Sequence, residues 1–278
     1  MTIASTVDSP QESHGTAAPA WLLLHGWGLN LRVFDGVAAS LVAHGATVHR
    51  ADLPGHGHSP FDEAAASFDA QVDALLATLP PRAIVAGWSL GGQFALELAR
   101  RAPDRVQGLV LLASTPRFIA SKDWSAGMKP VFLDAFATQL ATRWREVLEE
   151  FLSLQVRGSR DAAGVLHSLH AALEARGQPD PRALVAGLGF LRDNDLRAGV
   201  RGIRCPTLLI SGQHDRITPT AASAWLADAM QDARHVDLPR AGHAPFLSHP
   251  TETLEQLEDF AARIGAHGTG VAAAGARA

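Results

Sequence analysis

Cysteine, lysine and long apolar runs are all scarce in this sequence. Cys205 is the only cysteine, so no internal disulfide can form and nothing points to an oxidising compartment. No apolar stretch approaches the roughly 20 residues that a membrane-spanning helix needs. The first residues, MTIASTVDSPQESHGTAAPA, have neither a basic start nor an apolar core, which argues against a secretory signal. Lys122 and Lys129 are the only lysines, and a formal net charge of −4 leaves no broad basic field for nucleic acid. The expectation is a soluble, cytoplasmic monomer that binds neither nucleic acid nor membrane.

What is present is core. At 278 residues and 47% hydrophobic, the chain can bury a large interior as one domain, with or without an insertion. Residues 1–18 are small and polar, and 265–278 are glycine and alanine without apolar periodicity; both are expected to be flexible tails. Between them, short apolar runs read as buried parallel strands: WLLLH (21–25), TVHRAD (47–52), AIVAGW (83–88), LVLLAS (109–114), TLLISG (207–212) and RHVDLP (234–239). Helical stretches separate them, among them 90–101 and 249–264, the second with Leu254, Leu257, Phe260 and Ile264 on one face. This alternation predicts an α/β fold with a mostly parallel central sheet flanked by helices.

The alternation lapses between about Thr115 and Arg201. Leu133, Phe136, Leu140, Trp144, Val147, Leu148 and Phe151 follow helical spacing, and two more helical stretches come after them. A helical block between two strand series reads as a lid over the sheet, predicted over 116–201, with a core of 19–115 and 202–264.

The chemistry starts at VAGWSLGGQF (85–94), where a strand runs into a serine set between glycines and then into a helix. Ser89 could simply cap that helix. A serine exposed on a turn too tight for side chains on its neighbours is the other reading, and it suits a nucleophile whose helix directs N–H groups toward developing negative charge. A serine hydroxyl needs a base. His243 follows the last strand in LPRAGHAPFLSHP, and Asp215 follows the preceding strand in LLISGQHDRITP. In the order Ser89, Asp215, His243, each just past a strand, the three predict a catalytic triad. The N–H groups of Leu90 and of Trp27, in HGWGLN (25–30), are the candidate oxyanion donors. Asp52, His56 and His58 in DLPGHGHSP (52–60) could suggest a metal, but a rigid turn explains that stretch and no further ligand cluster accompanies it. No metal or cofactor is expected.

These motifs together resemble the α/β-hydrolase superfamily over about residues 20–264. More narrowly, LLLHGWGLN, GWSLGG, FLSLQ and HAPFLSHP are similar to the family of pimeloyl-[acyl-carrier protein] methyl ester esterases of biotin synthesis. The superfamily resemblance implies an α/β-hydrolase fold with a helical lid inserted after the sixth strand. The narrower one implies hydrolysis of a methyl ester on an acyl chain held by acyl carrier protein. By matching motif, Trp27, Ser89 and Leu90 would surround the ester carbonyl. Phe151, Leu152, Ser153, Leu154 and Gln155 would line the acyl channel, with His243 opposite.

Family members are expected to hold the acidic carrier with basic lid residues. Here Arg143, Arg145, Arg157 and Arg160 lie among Glu146, Glu149 and Glu150. Dehalogenases and epoxide hydrolases of this superfamily are set aside, because they place aspartate where Ser89 stands. Epoxide hydrolases also use lid tyrosines, and this chain has no tyrosine. A general short-chain carboxylesterase, and more remotely a non-catalytic ligand-binding protein, remain as alternatives.

Overall fold

Six apolar or half-apolar segments pair side by side because their backbone groups can be satisfied in the interior only by a neighbouring strand. The computed structural model describes residues 1–10 and 20–275, with side chains described as far as Ala266. Its sheet has seven strands: β1 Ser5–Asp8, β2 Ala20–Leu24, β3 Val48–Ala51, β4 Ala83–Trp88, β5 Val106–Leu112, β6 Thr207–Gly212 and β7 Ala233–Leu238. They lie in the order β1-β3-β2-β4-β5-β6-β7. All neighbours are parallel except β1 and β3. Strands β4 and β6 are buried along their whole length, which is why they read as unbroken apolar runs rather than alternating ones.

The helices are α1 Asp35–Ala43, α2 Phe68–Thr78, α3 Leu90–Arg101, α4 Pro130–Gln155, α5 Ala162–Arg176, α6 Pro181–Asp193, α7 Arg197–Val200, α8 Thr220–Ala229, α9 Pro245–Ser248 and α10 Pro250–Gly275. Proline occupies the first turn of α4 and of α6, where its missing N–H costs nothing. Asp161 and Asp180 cap α5 and α6 by accepting from backbone N–H groups. Helix α4 is broken at Arg143, whose φ of −145° and ψ of 49° are not helical. Among the described residues no helix is long and apolar enough to cross a membrane.

Three expectations change. Residues 5–8 are not tail but an edge strand: Ser5 to Asp8 pair with Ala51 to Val48, and Arg50 reaches Asp8 at 2.8 Å. STVD is too short and polar to show a pattern of its own; pairing with β3 orders it. The remainder of the expected N-terminal tail, 11–18, lies outside the described residues. At the other end, α10 continues to Gly275. Finally, the helical block follows the fifth strand in chain order, not the sixth, because only β1 is added to the four strands read before it.

Candidate active site

Four loops leave the C-terminal ends of the parallel strands β2, β4, β6 and β7, and each carries a predicted residue to one place. This end of an open parallel sheet is where such folds assemble sites.

Ser89 stands between β4 and α3 with φ 54° and ψ −118°. Side chains avoid this left-handed region, and holding one there costs on the order of 1–3 kcal/mol. Three hydrogen bonds hold it: the Ser89 N–H donates to Leu112 O at 3.0 Å, while its carbonyl accepts from Gly92 N–H at 3.0 Å and from the Ser114 hydroxyl at 2.8 Å. The flanking glycines are a steric requirement. A Cβ on Gly87 would strike the Gly91 carbonyl, and one on Gly91 would strike the carbonyls of Leu24 and His25. The turn is that close to its neighbours.

His243 Nε2 lies 2.9 Å from Ser89 Oγ, and His243 Nδ1 lies 2.8 Å from Asp215 Oδ2. A carboxylate can only accept, so Nδ1 carries the proton and Nε2 presents its lone pair to the serine. Asp215 Oδ1 accepts from the N–H groups of Ile217 at 2.8 Å and Thr218 at 3.0 Å. The Thr218 hydroxyl lies 2.7 Å from Asp215 Oδ2, so both oxygens are satisfied away from water. His243 is fixed through its backbone as well. Its N–H donates to Gln155 O at 3.0 Å, and its carbonyl accepts from the Trp88 indole at 2.7 Å. His243 is 1% exposed and Ser89 7%, so the relay is nearly dry.

Leu90 is the first residue of α3, so its N–H is among those at a helix start with no acceptor inside the helix. The Gly26–Trp27 loop passes beside the serine: a Cβ on Gly26 would lie 3.3 Å from Ser89 Cβ. The Trp27 ring meets Phe151 edge to face at 4.9 Å, and its indole donates to Leu184 O in α6 at 2.9 Å. Of the run 151–155, helical geometry brings Phe151 and Gln155 inward, one turn apart. Leu152 is buried, Leu154 half-buried, and Ser153 is exposed on the other side of α4. The resemblance implies a contiguous stretch; a helix presents only part of one. Both side-chain amide atoms of Gln155 are buried without a hydrogen-bond partner, the condition of a group that something else should satisfy.

Asp52, His56 and His58 do not form a metal centre. Asp52 accepts from the N–H groups of Leu31 and His58, each at 2.9 Å, and from Arg176 Nε at 2.6 Å. His56 Nε2 accepts from Gly28 N–H at 3.2 Å, and its Nδ1 donates to Pro54 O at 3.0 Å. Burial lowers the His56 pKa, and burial next to His56 holds His25 down to about 3; both rings are neutral struts.

Sequence reasoning missed Thr218 and Trp88 as supports. A hydroxyl three residues after Asp215 was a usable signal for the first; nothing local announces the second. The sequence matches the model of the α/β hydrolase fold family over residues 19–250. It is 46% identical over 235 residues to a pimeloyl-[acyl-carrier protein] methyl ester esterase of Nitrosomonas europaea, covering 84% of this chain and 92% of that one. A protein of the same name from Chromobacterium violaceum is 41% identical, covering 87% of this chain and 93% of its own length. Among solved structures, an esterase from Exiguobacterium antarcticum superposes with a TM-score of 0.82 at 20% identity, over 93% of this chain and 95% of that one, a likeness of fold. By a family match over most of its length and relatives at this identity and coverage, the chain belongs to the α/β-hydrolase family and, within it, to the pimeloyl-[acyl-carrier protein] methyl ester esterase family.

Proposed function

We propose that this protein is a serine esterase that removes the methyl group from pimeloyl-[acyl-carrier protein] methyl ester in biotin synthesis, with Ser89, His243 and Asp215 as its catalytic residues. The observation that carries the chemistry is the unbroken hydrogen-bonded chain from Ser89 Oγ through His243 to Asp215. The substrate follows from the relatives' name.

His243 Nε2 takes the Ser89 proton as Oγ attacks the ester carbonyl. Asp215 holds the imidazole in its tautomer and stabilises the charge that forms. The N–H groups of Leu90 and Trp27 receive the oxyanion. His243 then gives the proton to the departing methoxide, releasing methanol. Water, deprotonated by the same nitrogen, attacks the acyl-serine and frees the carboxylate. Phe151 and Trp27 supply an apolar wall for the acyl chain, and the unpartnered Gln155 amide supports a polar contact along it.

For docking an acidic carrier, the four lid arginines differ. Arg143 is engaged with Glu150 at 2.8 Å, and Arg145 lies over the Trp144 ring. Arg160 faces Glu252 only at 3.7 Å, and Arg157 is exposed with no ion-pair partner among the described residues. These two are the better docking candidates.

The test compares kcat/KM on the carrier-bound methyl ester with that on the free dimethyl ester of the same diacid. A strong preference for the carrier-bound ester is expected. Equal or better hydrolysis of the free ester would return the protein to the general carboxylesterases.

A further inference from the structure

The loop that supplies the Trp27 N–H is clamped from two sides. From below, Leu53 N–H donates to His25 Nε2 at 2.9 Å, Gly28 N–H to His56 Nε2 at 3.2 Å, and Leu31 N–H to Asp52 Oδ1 at 2.9 Å. From above, the helices over the sheet reach down. Asn30 Nδ2 donates to Ala172 O of α5 at 2.9 Å, and the Trp27 indole to Leu184 O of α6 at 2.9 Å. Arg176, the last residue of α5, closes on Asp52 Oδ2 at 2.6 Å.

Asp52 joins the two sides. Its side chain is fully buried and that of Arg176 is 12% exposed. A buried carboxylate without a cation is costly, and removing one partner of such a pair leaves the other uncompensated. Arg176 is the only cation in salt-bridge contact with Asp52 among the described residues. The carboxylate that fixes Leu31 N–H is therefore paired with a cation only while α5 lies over it.

We propose that Arg176 and Asp52 are positioning residues of the anion hole: their ion pair ties α5 to the 25–31 loop and so fixes the Trp27 N–H against Ser89. The inference rests on the esterase reading above. A pair that merely fastened the helices down would affect stability and substrate capture. A pair that places an oxyanion donor acts on the tetrahedral state, where small misplacements are costly.

The experiment uses Arg176→Gln, Asp52→Asn and the double variant of the full chain. It measures kcat and KM on a p-nitrophenyl ester, and the affinity for phenylboronic acid, which becomes tetrahedral on Ser89. Arg176→Gln is expected to lower kcat about 10- to 100-fold with KM within about threefold, and to weaken boronate binding by a similar factor. The double variant is expected to lose little more than either single one, because both act through one pair. Unchanged kcat, a change confined to KM, intact boronate affinity, or additive losses would each overturn the inference. Should Arg176→Gln fail to fold, Arg176→Lys keeps a cation over Asp52 but not the planar donor. It is expected to show the same kcat and boronate losses on a smaller scale, and their absence overturns the inference. Wild-type protein that neither hydrolyses the ester nor labels at Ser89 with a fluorophosphonate would overturn the esterase reading itself. Active, labelled wild type beside an undiminished Arg176→Gln would overturn only this inference.

Discussion

The turn that carries Ser89 and the helix that carries Phe151 meet the same short loop, Gly26 on one side and Trp27 on the other, and they are held in different ways. The turn is defined by backbone: a left-handed serine, three hydrogen bonds to its main-chain atoms, and glycines that no other residue could replace. Helix α4 is defined by side-chain packing, with Leu148, Phe151 and Leu152 buried and its course broken at Arg143. Backbone constraint leaves a local signature of fixed residues at fixed spacing. Packing leaves only a periodicity that many sequences satisfy. The chemistry proposed for this protein therefore lies where the sequence is most constrained, and the selectivity proposed for it where the sequence is least constrained.

Three measurements would break or sharpen that contrast. The largest effect belongs to the turn. Ser89→Ala is expected to lower kcat by on the order of 10⁴–10⁶-fold while leaving the fold intact, since alanine is no more strained at φ 54° than serine. Steady-state kinetics beside circular dichroism checks it, and substantial turnover in a folded variant would remove Ser89 from the mechanism.

The second belongs to the seam between the regions. His25 is neutral in the fold and titrates near 3 instead of 6.5, so the unfolded chain binds a proton between those values that the native chain refuses. Its contribution is complete above about pH 6.5 and is lost as pH falls toward 3, at up to about 1.4 kcal/mol per pH unit. Denaturant midpoints from pH 7 to pH 4 should fall accordingly, and more shallowly in His25→Asn. An equal slope in both would show that other groups set acid stability. The smallest effect belongs to the loop between α4 and α5. Reversing Arg157 and Arg160 to glutamate is expected to reduce kcat/KM on the carrier-bound ester about tenfold at low salt, with little change on the free ester. Equal losses on both would move carrier docking elsewhere.

Legibility followed the same division. The parallel strands, the helical block and the three residues of the relay were readable, because burial on both faces and a strained turn each demand particular residue types. Strand β1 was not, since STVD is ordered by its partner rather than by its own pattern. The motif sets Ser153 beside Phe151 and Gln155 although its side chain is exposed, because a motif is linear and a helix is not. The meeting of Arg176 with Asp52, 124 residues apart, has no local signal at either end; an arginine closing a helix reads as dipole compensation until the fold sets it over a buried acid.

The absence of tyrosine and the placement of two tryptophans have a practical consequence. The chain holds six tryptophans, so its near-ultraviolet emission comes from indole alone. Trp88 donates to the His243 carbonyl and Trp27 belongs to the loop beside Ser89. Both are buried to 1% exposure. Acylation of Ser89, charging of His243 and any shift of α6 over Trp27 would all occur within reach of a native chromophore, so turnover can be followed by light emission without attaching a label.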